Sequence, residues 1–235
     1  DHRCDGQGFY GQTWAMHDTA TEHVVLLRIH PGGGPAALVF TTTGCVGQLG
    51  MNEAGVCVGI NNLVAIDGCP GVMWTSVVRD ALLCDSAAAA RDAILAADLA
   101  GAHSFLVFDA SGDGHMVEAF PSSRPTASLD ADALVHTNHA LWEEAIAVEA
   151  PKHGDLKDSS TRRRALALEL LDRDGIRVDD LMAVTRDGGT ICQTSREPFH
   201  IESSGAAIMR PRTLDFWAVW GLPSHNEYVH VPFAA

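Results

Sequence analysis

The residue pattern changes period along the chain, and the order of those periods narrows the possible folds more than any other feature. Up to about residue 63 the sequence is a series of short β-prone runs separated by turn residues. His23-Val24-Val25-Leu26-Leu27-Arg28-Ile29 is dense in aliphatic and β-branched side chains, Pro31-Gly32-Gly33-Gly34-Pro35 turns it, and Ala37-Leu38-Val39-Phe40-Thr41-Thr42 returns. That sequence predicts a hairpin. Residues 43–50 lead to a turn at Asn52-Glu53-Ala54-Gly55, and a strand over 56–63 follows, its apolar run ending in Asn61 and Asn62. From Trp74 the spacing turns helical, with Val77, Val78, Ala81 and Leu82 on one face. Ser86 then caps an alanine-rich helix over 87–99 that Gly101 stops. Strands return at 103–109 and 115–120, joined by Ser111-Gly112-Asp113-Gly114. Further on, 134–139 reads as a short strand, 150–158 as a loop, 159–171 and 178–184 as helices, and 206–210 and 214–220 as strands. Hairpins, a helix pair, then hairpins again describe an α+β chain. Two antiparallel sheets packed face to face, with helices outside, satisfy that order. With no repeat, linker or low-complexity segment, residues 1–235 are read as a single domain.

Composition excludes several classes of function. Asp and Glu outnumber Lys and Arg 30 to 16, a net charge of −14 that repels phosphate backbones and argues against nucleic acid as a partner. No apolar run is long enough to span a bilayer, which argues against a membrane partner. Six cysteines lie without CxxC spacing and read as thiols rather than a disulfide framework, which favours a reducing, cytoplasmic setting. His136 and His139 stand at i and i+3, but no Asp, Glu or Cys is spaced to complete a metal site. The glycine-rich pieces join strands and do not open helices, so they are turns and not phosphate loops. Neither a metal nor a cofactor is expected, and association with further copies of the chain is left open.

The residues that suggest chemistry are few. The first eighteen, DHRCDGQGFYGQTWAMHD, place Cys4 before an Asp5-Gly6 turn signal and an apolar-aromatic run from Phe9 to Met16. The chain therefore enters part-way through a hairpin, as a cut end would. A free α-amine, with a pKa near ~8, can act as a base close to neutrality. Asn61 ends a buried strand and Asn138 sits in His136-Thr137-Asn138-His139. A fixed side-chain amide is a suitable oxyanion donor, because it offers N–H with no proton to lose. Taken singly, either asparagine is read more simply as satisfying a backbone turn. Ser159-Ser160-Thr161-Arg162-Arg163-Arg164 opens a helix, where cations are mildly unfavourable, and that placement leans towards a role in binding or catalysis.

Gly11-Gln12-Thr13-Trp14, Gly50-Met51-Asn52-Glu53-Ala54-Gly55 with Asn61-Asn62-Leu63, His136-Thr137-Asn138-His139 and the Ser- and Arg-rich helix start together resemble the acyl-coenzyme A:6-aminopenicillanic acid acyltransferase family. These are cysteine N-terminal-nucleophile hydrolases, related to the choloylglycine and penicillin V hydrolases. The resemblance runs from about Gly11 to the C-terminus. It implies a four-layer αββα sandwich and a precursor that cleaves itself before a cysteine, so that this chain is the larger fragment and the smaller N-terminal fragment is its partner. It also implies attack by the thiolate on an amide or thioester carbonyl of a small N-acyl substrate, through an acyl-enzyme that water or an amine then resolves. By position, Asn138 is the main oxyanion donor, Asn61 the second, and Arg162 the arginine beside the nucleophile, with Arg163 or Arg164 in that slot if the register is shifted.

Two departures bear on the nucleophile. The family carries Asp after Gly-Gln-x-Trp, where this chain has Ala15. The family's cysteine is followed by Thr and lies a strand's length before the turn, whereas Cys4 is followed by Asp5-Gly6 and stands only seven residues before Gly11. Three readings follow. The nucleophile precedes Asp1; or Cys4 serves after loss of Asp1-His2-Arg3; or the chain is a degenerate member that binds a ligand on the same scaffold without cleaving it.

Overall fold

The computed structural model describes residues 8–130 and 133–233. In chain order these form β1 (Tyr10–His17), a short 3-10 helix, β2 (Val24–Ile29), β3 (Ala37–Thr42), β4 (Leu49–Asn52), β5 (Val56–Asn62), α1 (Trp74–Ala81) and α2 (Ala87–Ala96). Then come β6 (His103–Asp109), β7 (Gly114–Ala119), β8 (Thr126–Ser128), α3 (Glu143–Ile146), α4 (Gly154–Leu171), α5 (Val178–Arg186), β9 (Ile201–Arg210), β10 (Asp215–Trp220) and β11 (Val229–Val231). One sheet has four strands in the order β1-β9-β10-β11, and the other has seven, from β2 to β8 in sequence order. Every pairing is antiparallel.

The strands that lie between layers are the ones with continuous apolar runs. β3 and β7 are buried at every position, as strands covered on both faces must be. α1 and α2 cover the seven-stranded sheet over β5, β6 and β7, while α5 packs on β1 and β9 of the other sheet. The result is a four-layer α+β sandwich. Between the sheets Phe40 meets Trp220 with ring centroids 6.2 Å apart. A Cβ at Gly205 would come within 2.5 Å of the Phe40 ring, so the sheets approach this closely only because β9 has no side chain there. α2 starts as its sequence predicts: Ser86 Oγ accepts from the Ala89 N–H at 3.3 Å. The Ala87 N–H donates to Asp109 Oδ2 at 2.8 Å, tying the helix start to the end of β6.

Two local expectations are corrected. Residues 134–139 form no strand, because their polar groups bond to α4 instead of to a ladder: the Asn138 N–H donates to Ser160 Oγ and Arg164 Nε donates to the Val135 carbonyl. α4 begins at Gly154, capped by His153 Nδ1, so Ser159 and Ser160 lie inside the helix and residues 154–158 belong to it. With their own backbone satisfied by the helix, these serines can turn their hydroxyls outward to other segments. The Asp5-Gly6 turn lies outside the described residues. Among those described, no helix is long and apolar enough to cross a membrane.

Candidate active site

Side chains alternate across a strand, so Gly59 and Asn61 share one face of β5. A Cβ at Gly59 would lie 2.0 Å from Gln12 Oε1 and 2.2 Å from the Tyr10 hydroxyl, which shows that this face looks directly at β1 of the opposite sheet. Asn61 therefore ends β5 in the gap between sheets. It is half-buried and borders a cavity of about 510 Å³ that follows β1 from Phe9 to Met16. Its amide makes no side-chain hydrogen bond within the described residues.

Asn138 reaches the same cavity from the loop after residue 133 and is held from several sides. Its N–H donates to Ser160 Oγ at 2.7 Å. Ser160, fully buried, also donates to Thr137 Oγ1 at 3.0 Å and lies 2.8 Å from His139 Nδ1. The Asn138 carbonyl accepts from Lys152 Nζ, which also pairs with Glu149 at 2.9 Å. In its side chain, Nδ2 donates to the Asn62 carbonyl at 3.2 Å and Oδ1 accepts from Arg163 Nη2 at 3.0 Å. An amide nitrogen carries two hydrogens, so one remains for a ligand. Asn138 thus sits against the end of the strand that carries Asn61, and the two expected amides are brought together.

Of the three arginines considered beside the nucleophile, Arg162 first and Arg163 or Arg164 as alternatives, Arg163 is the one that reaches the cavity. Arg162 is exposed, whereas Arg163 borders the cavity and Arg164 donates to the Val135 carbonyl at 3.1 Å. Each residue turns a helix by about 100°, so a one-residue register error changes the face completely. Among the described residues, Arg163 has no carboxylate partner and no Asp or Glu borders the cavity. Burial lowers its pKa to about 10, which still leaves it protonated at neutral pH. The cavity therefore offers a cation and amide N–H groups inside a protein of net charge −14, an arrangement suited to a thiolate, an oxyanion or a carboxylate.

At the same end, His103 stacks on Trp74 with centroids 5.0 Å apart, and Trp74 lies 6.0 Å from Trp14. Burial holds the His103 pKa down to about 4, so it contributes an uncharged ring. Ala15 is exposed at a bulge, where the β1–β9 register shifts between Trp14 and Ala15. Cys4 lies outside the described residues. Of the described cysteines, Cys45, Cys57, Cys69, Cys84 and Cys192 are free thiols and none borders the cavity. Burial pushes the Cys57 thiol pKa upward, which suits packing and not reaction. β1 pairs with β9 alone among the described residues, and its other edge runs along the cavity.

Two contacts of the site were not read from the sequence. One is that of Gln12 with the Ile60 carbonyl, whose signal was the lone Gly59 inside an apolar strand, a mark of close approach by another group. The other is a fully buried pair, His136 Nε2 to Glu118 Oε1 at 2.7 Å, with the Leu141 N–H also donating to that oxygen at 2.7 Å. Its signal was a glutamate within the apolar run of β7.

The model of the acyl-coenzyme A:6-aminopenicillanic acid acyl-transferase family matches residues 3–196. A curated relative, the 40 kDa form of acyl-coenzyme A:6-aminopenicillanic-acid-acyltransferase from Emericella nidulans, is 28% identical over 167 residues, 70% of this chain and 46% of the relative. The chain thus spans about half the length of that relative. Among solved structures, a mutant of the conjugated bile acid hydrolase from Clostridium perfringens superposes with a TM-score of 0.69 at 12% identity, covering 97% of this chain and 89% of that one. Penicillin V acylase from Agrobacterium tumefaciens gives a TM-score of 0.59 at 12% identity, covering 97% and 83%. The N-acylethanolamine-hydrolyzing acid amidase ortholog from Caenorhabditis elegans gives 0.59 at 14%, covering 87% and 88%. At these identities the structural likeness establishes a shared fold.

Proposed function

From the premise that the chain belongs to the acyl-coenzyme A:6-aminopenicillanic acid acyl-transferase family, we propose that it is an amide hydrolase or acyltransferase acting on a small N-acyl compound through a cysteine acyl-enzyme. The observation that carries this reading is the Asn61 amide, unengaged among the described residues, beside the Asn138–Arg163 pair on a cavity that borders the edge of β1 no other described strand covers. A strand running back from the turn past Asp1 would pair with that edge, antiparallel to β1. After a two-residue turn at Asp5-Gly6, about 5–6 residues of strand would bring its first residue opposite Gly11 or Gln12. That is the part of β1 where the Gln12 amide touches the Ile60 carbonyl next to Asn61. A nucleophilic cysteine at the start of such a strand would stand beside both amides. By the same spacing a nucleophile at Cys4 would be too near the turn to reach them.

In this mechanism the free α-amine takes the thiol proton and the thiolate attacks the carbonyl carbon. Asn61 and the remaining N–H of Asn138 receive the negative oxygen. The leaving amine takes a proton from the α-ammonium, and water or a second amine attacks the acyl-enzyme. Arg163 favours the thiolate, or holds a substrate carboxylate. The precursor would cleave itself before the cysteine and keep the smaller fragment as a partner.

A second reading, a ligand-binding member that does not cleave, is favoured by Ala15 in place of the family's Asp. Intact-mass spectrometry of the full-length gene product separates the two. Rapid addition of iodoacetamide, or of a β-lactam, at a single N-terminal cysteine supports the enzyme. Slow and equal labelling of all thiols supports the binding protein.

A further inference from the structure

β5 outruns its neighbour. Its ladder to β4 reaches Gly50↔Val58, while its ladder to β6 continues through Asn61↔Ser104 and Asn62↔His103. The last residues of β5 therefore lack a strand on one side, at the place where Asn61 must be aimed. Across the inter-sheet gap, Gln12 Nε2 donates to the Ile60 carbonyl, and Gln12 Oε1 accepts from the Tyr10 hydroxyl at 2.9 Å. Gln12 and Tyr10 are both buried. Burial raises the Tyr10 pKa far above the usual phenol range, so its hydroxyl stays a donor and fixes which end of the Gln12 amide faces Ile60.

We propose that Gln12, oriented by Tyr10 and admitted by Gly59, is a positioning residue that holds the end of β5 and so aims the Asn61 amide at the oxyanion. The carbonyl it grips belongs to the peptide group joining Ile60 to Asn61. Rotation of that group swings the Asn61 side chain directly. Gly59 makes the contact possible, because any Cβ there would occupy the position of Gln12 Oε1. The interaction therefore requires three residues at fixed positions in two sheets. The inference rests on the reading of Asn61 as an oxyanion donor, and its test is chosen to keep the two apart.

Acylation of the nucleophile by p-nitrophenyl acetate passes through an oxyanion, whereas alkylation by iodoacetamide does not. In the full-length protein, Gln12→Met should lower the ratio of acylation to alkylation rate by about tenfold to a hundredfold, short of the loss expected when an oxyanion donor is removed outright. Tyr10→Phe should give a smaller fall of the same sign. Added to Gln12→Met it should change nothing further, because both act through one contact. Hydrogen exchange of residues 59–62 should quicken in Gln12→Met with little change in Tm. Equal falls in both rates, or additive effects of the two substitutions, would overturn the proposal. So would unchanged exchange at 59–62, whether or not the protein is acylated. Should the native protein resist acylation altogether while exchange quickens, the enzymatic reading fails and the role in aiming Asn61 for catalysis falls with it.

Discussion

Arg163 shows how much a single position decides. It is a desolvated cation with no carboxylate partner among the described residues, held by Ser159 Oγ at 3.4 Å and Asn138 Oδ1 at 3.0 Å. A group buried at that cost and left without an opposite charge destabilises the fold, and such groups persist where a site uses them. Replacing it by Met should leave Tm unchanged or raised while acylation of the nucleophile slows by at least about tenfold, a divergence that thermal melts and acylation rates on one preparation would show. Arg162→Ala, on the exposed face, should shift stability by no more than about 0.5 kcal/mol and leave acylation alone. The amides follow the same logic. Asn61→Ala and Asn138→Ala should each slow acylation by roughly 10²–10³. Asn138→Ala should also lower Tm, because its side chain bonds both β5 and α4, whereas the Asn61 amide bonds to neither. A fall in Tm for Asn61→Ala equal to that for Asn138→Ala would make Asn61 structural.

At the scale of the element, strands and helices with strong periodic patterns were legible. The strand expected over 103–109 matches β6, and the helix starts expected at Ala87 and Val178 match α2 and α5. Asn61 and Asn138 were both singled out in the sequence, and the structure sets them on one cavity. What could not be read was tertiary in origin. The segment 134–139 has strand-like composition, yet its partners are Ser160, Arg163 and Arg164 on a helix some twenty residues later, and no local pattern announces that. The sequence could not choose among Arg162, Arg163 and Arg164, because which of three successive residues faces a cavity depends on the rotation of the helix in the fold. β6 carries a consequence of its own for acid stability. The unfolded chain takes up a proton at His103 as pH falls through 6.5, whereas the folded chain holds that imidazole neutral to about 4. Folding stability is therefore present above 6.5 and is lost as pH falls towards 4, by at most about 3 kcal/mol. Urea denaturation between pH 7 and pH 4 should show that loss in the native protein and less of it in His103→Phe, which keeps a ring against Trp74. Identical pH profiles would mean that the ring is solvated in the native state.

For the molecule as a whole, the arrangement turns on a sheet edge beside a cavity, one that no other described strand covers. An exposed edge strand offers a row of unpaired N–H and C=O groups, and proteins normally cover it. Here the edge belongs to β1, which is bracketed by apolar side chains on both of its faces: Leu106 and Phe108 from the seven-stranded sheet on one side, Leu181 from α5 with Ile208 on the other. Alternating side chains of one further strand would meet an apolar wall in each direction, which is what a central strand of a sandwich requires. If a segment encoded before Asp1 fills this place, backbone exchange will report it. In a protein starting at Asp1, the β1 amides that point away from β9 should exchange quickly while those bonded to β9 stay protected, an alternation with a period of two residues. In the full-length gene product both sets should be protected together, and p-nitrophenyl acetate should acylate a single cysteine. Fast exchange of the outward set in the longer protein would leave the edge uncovered, and the nucleophile would then have to be sought away from β1.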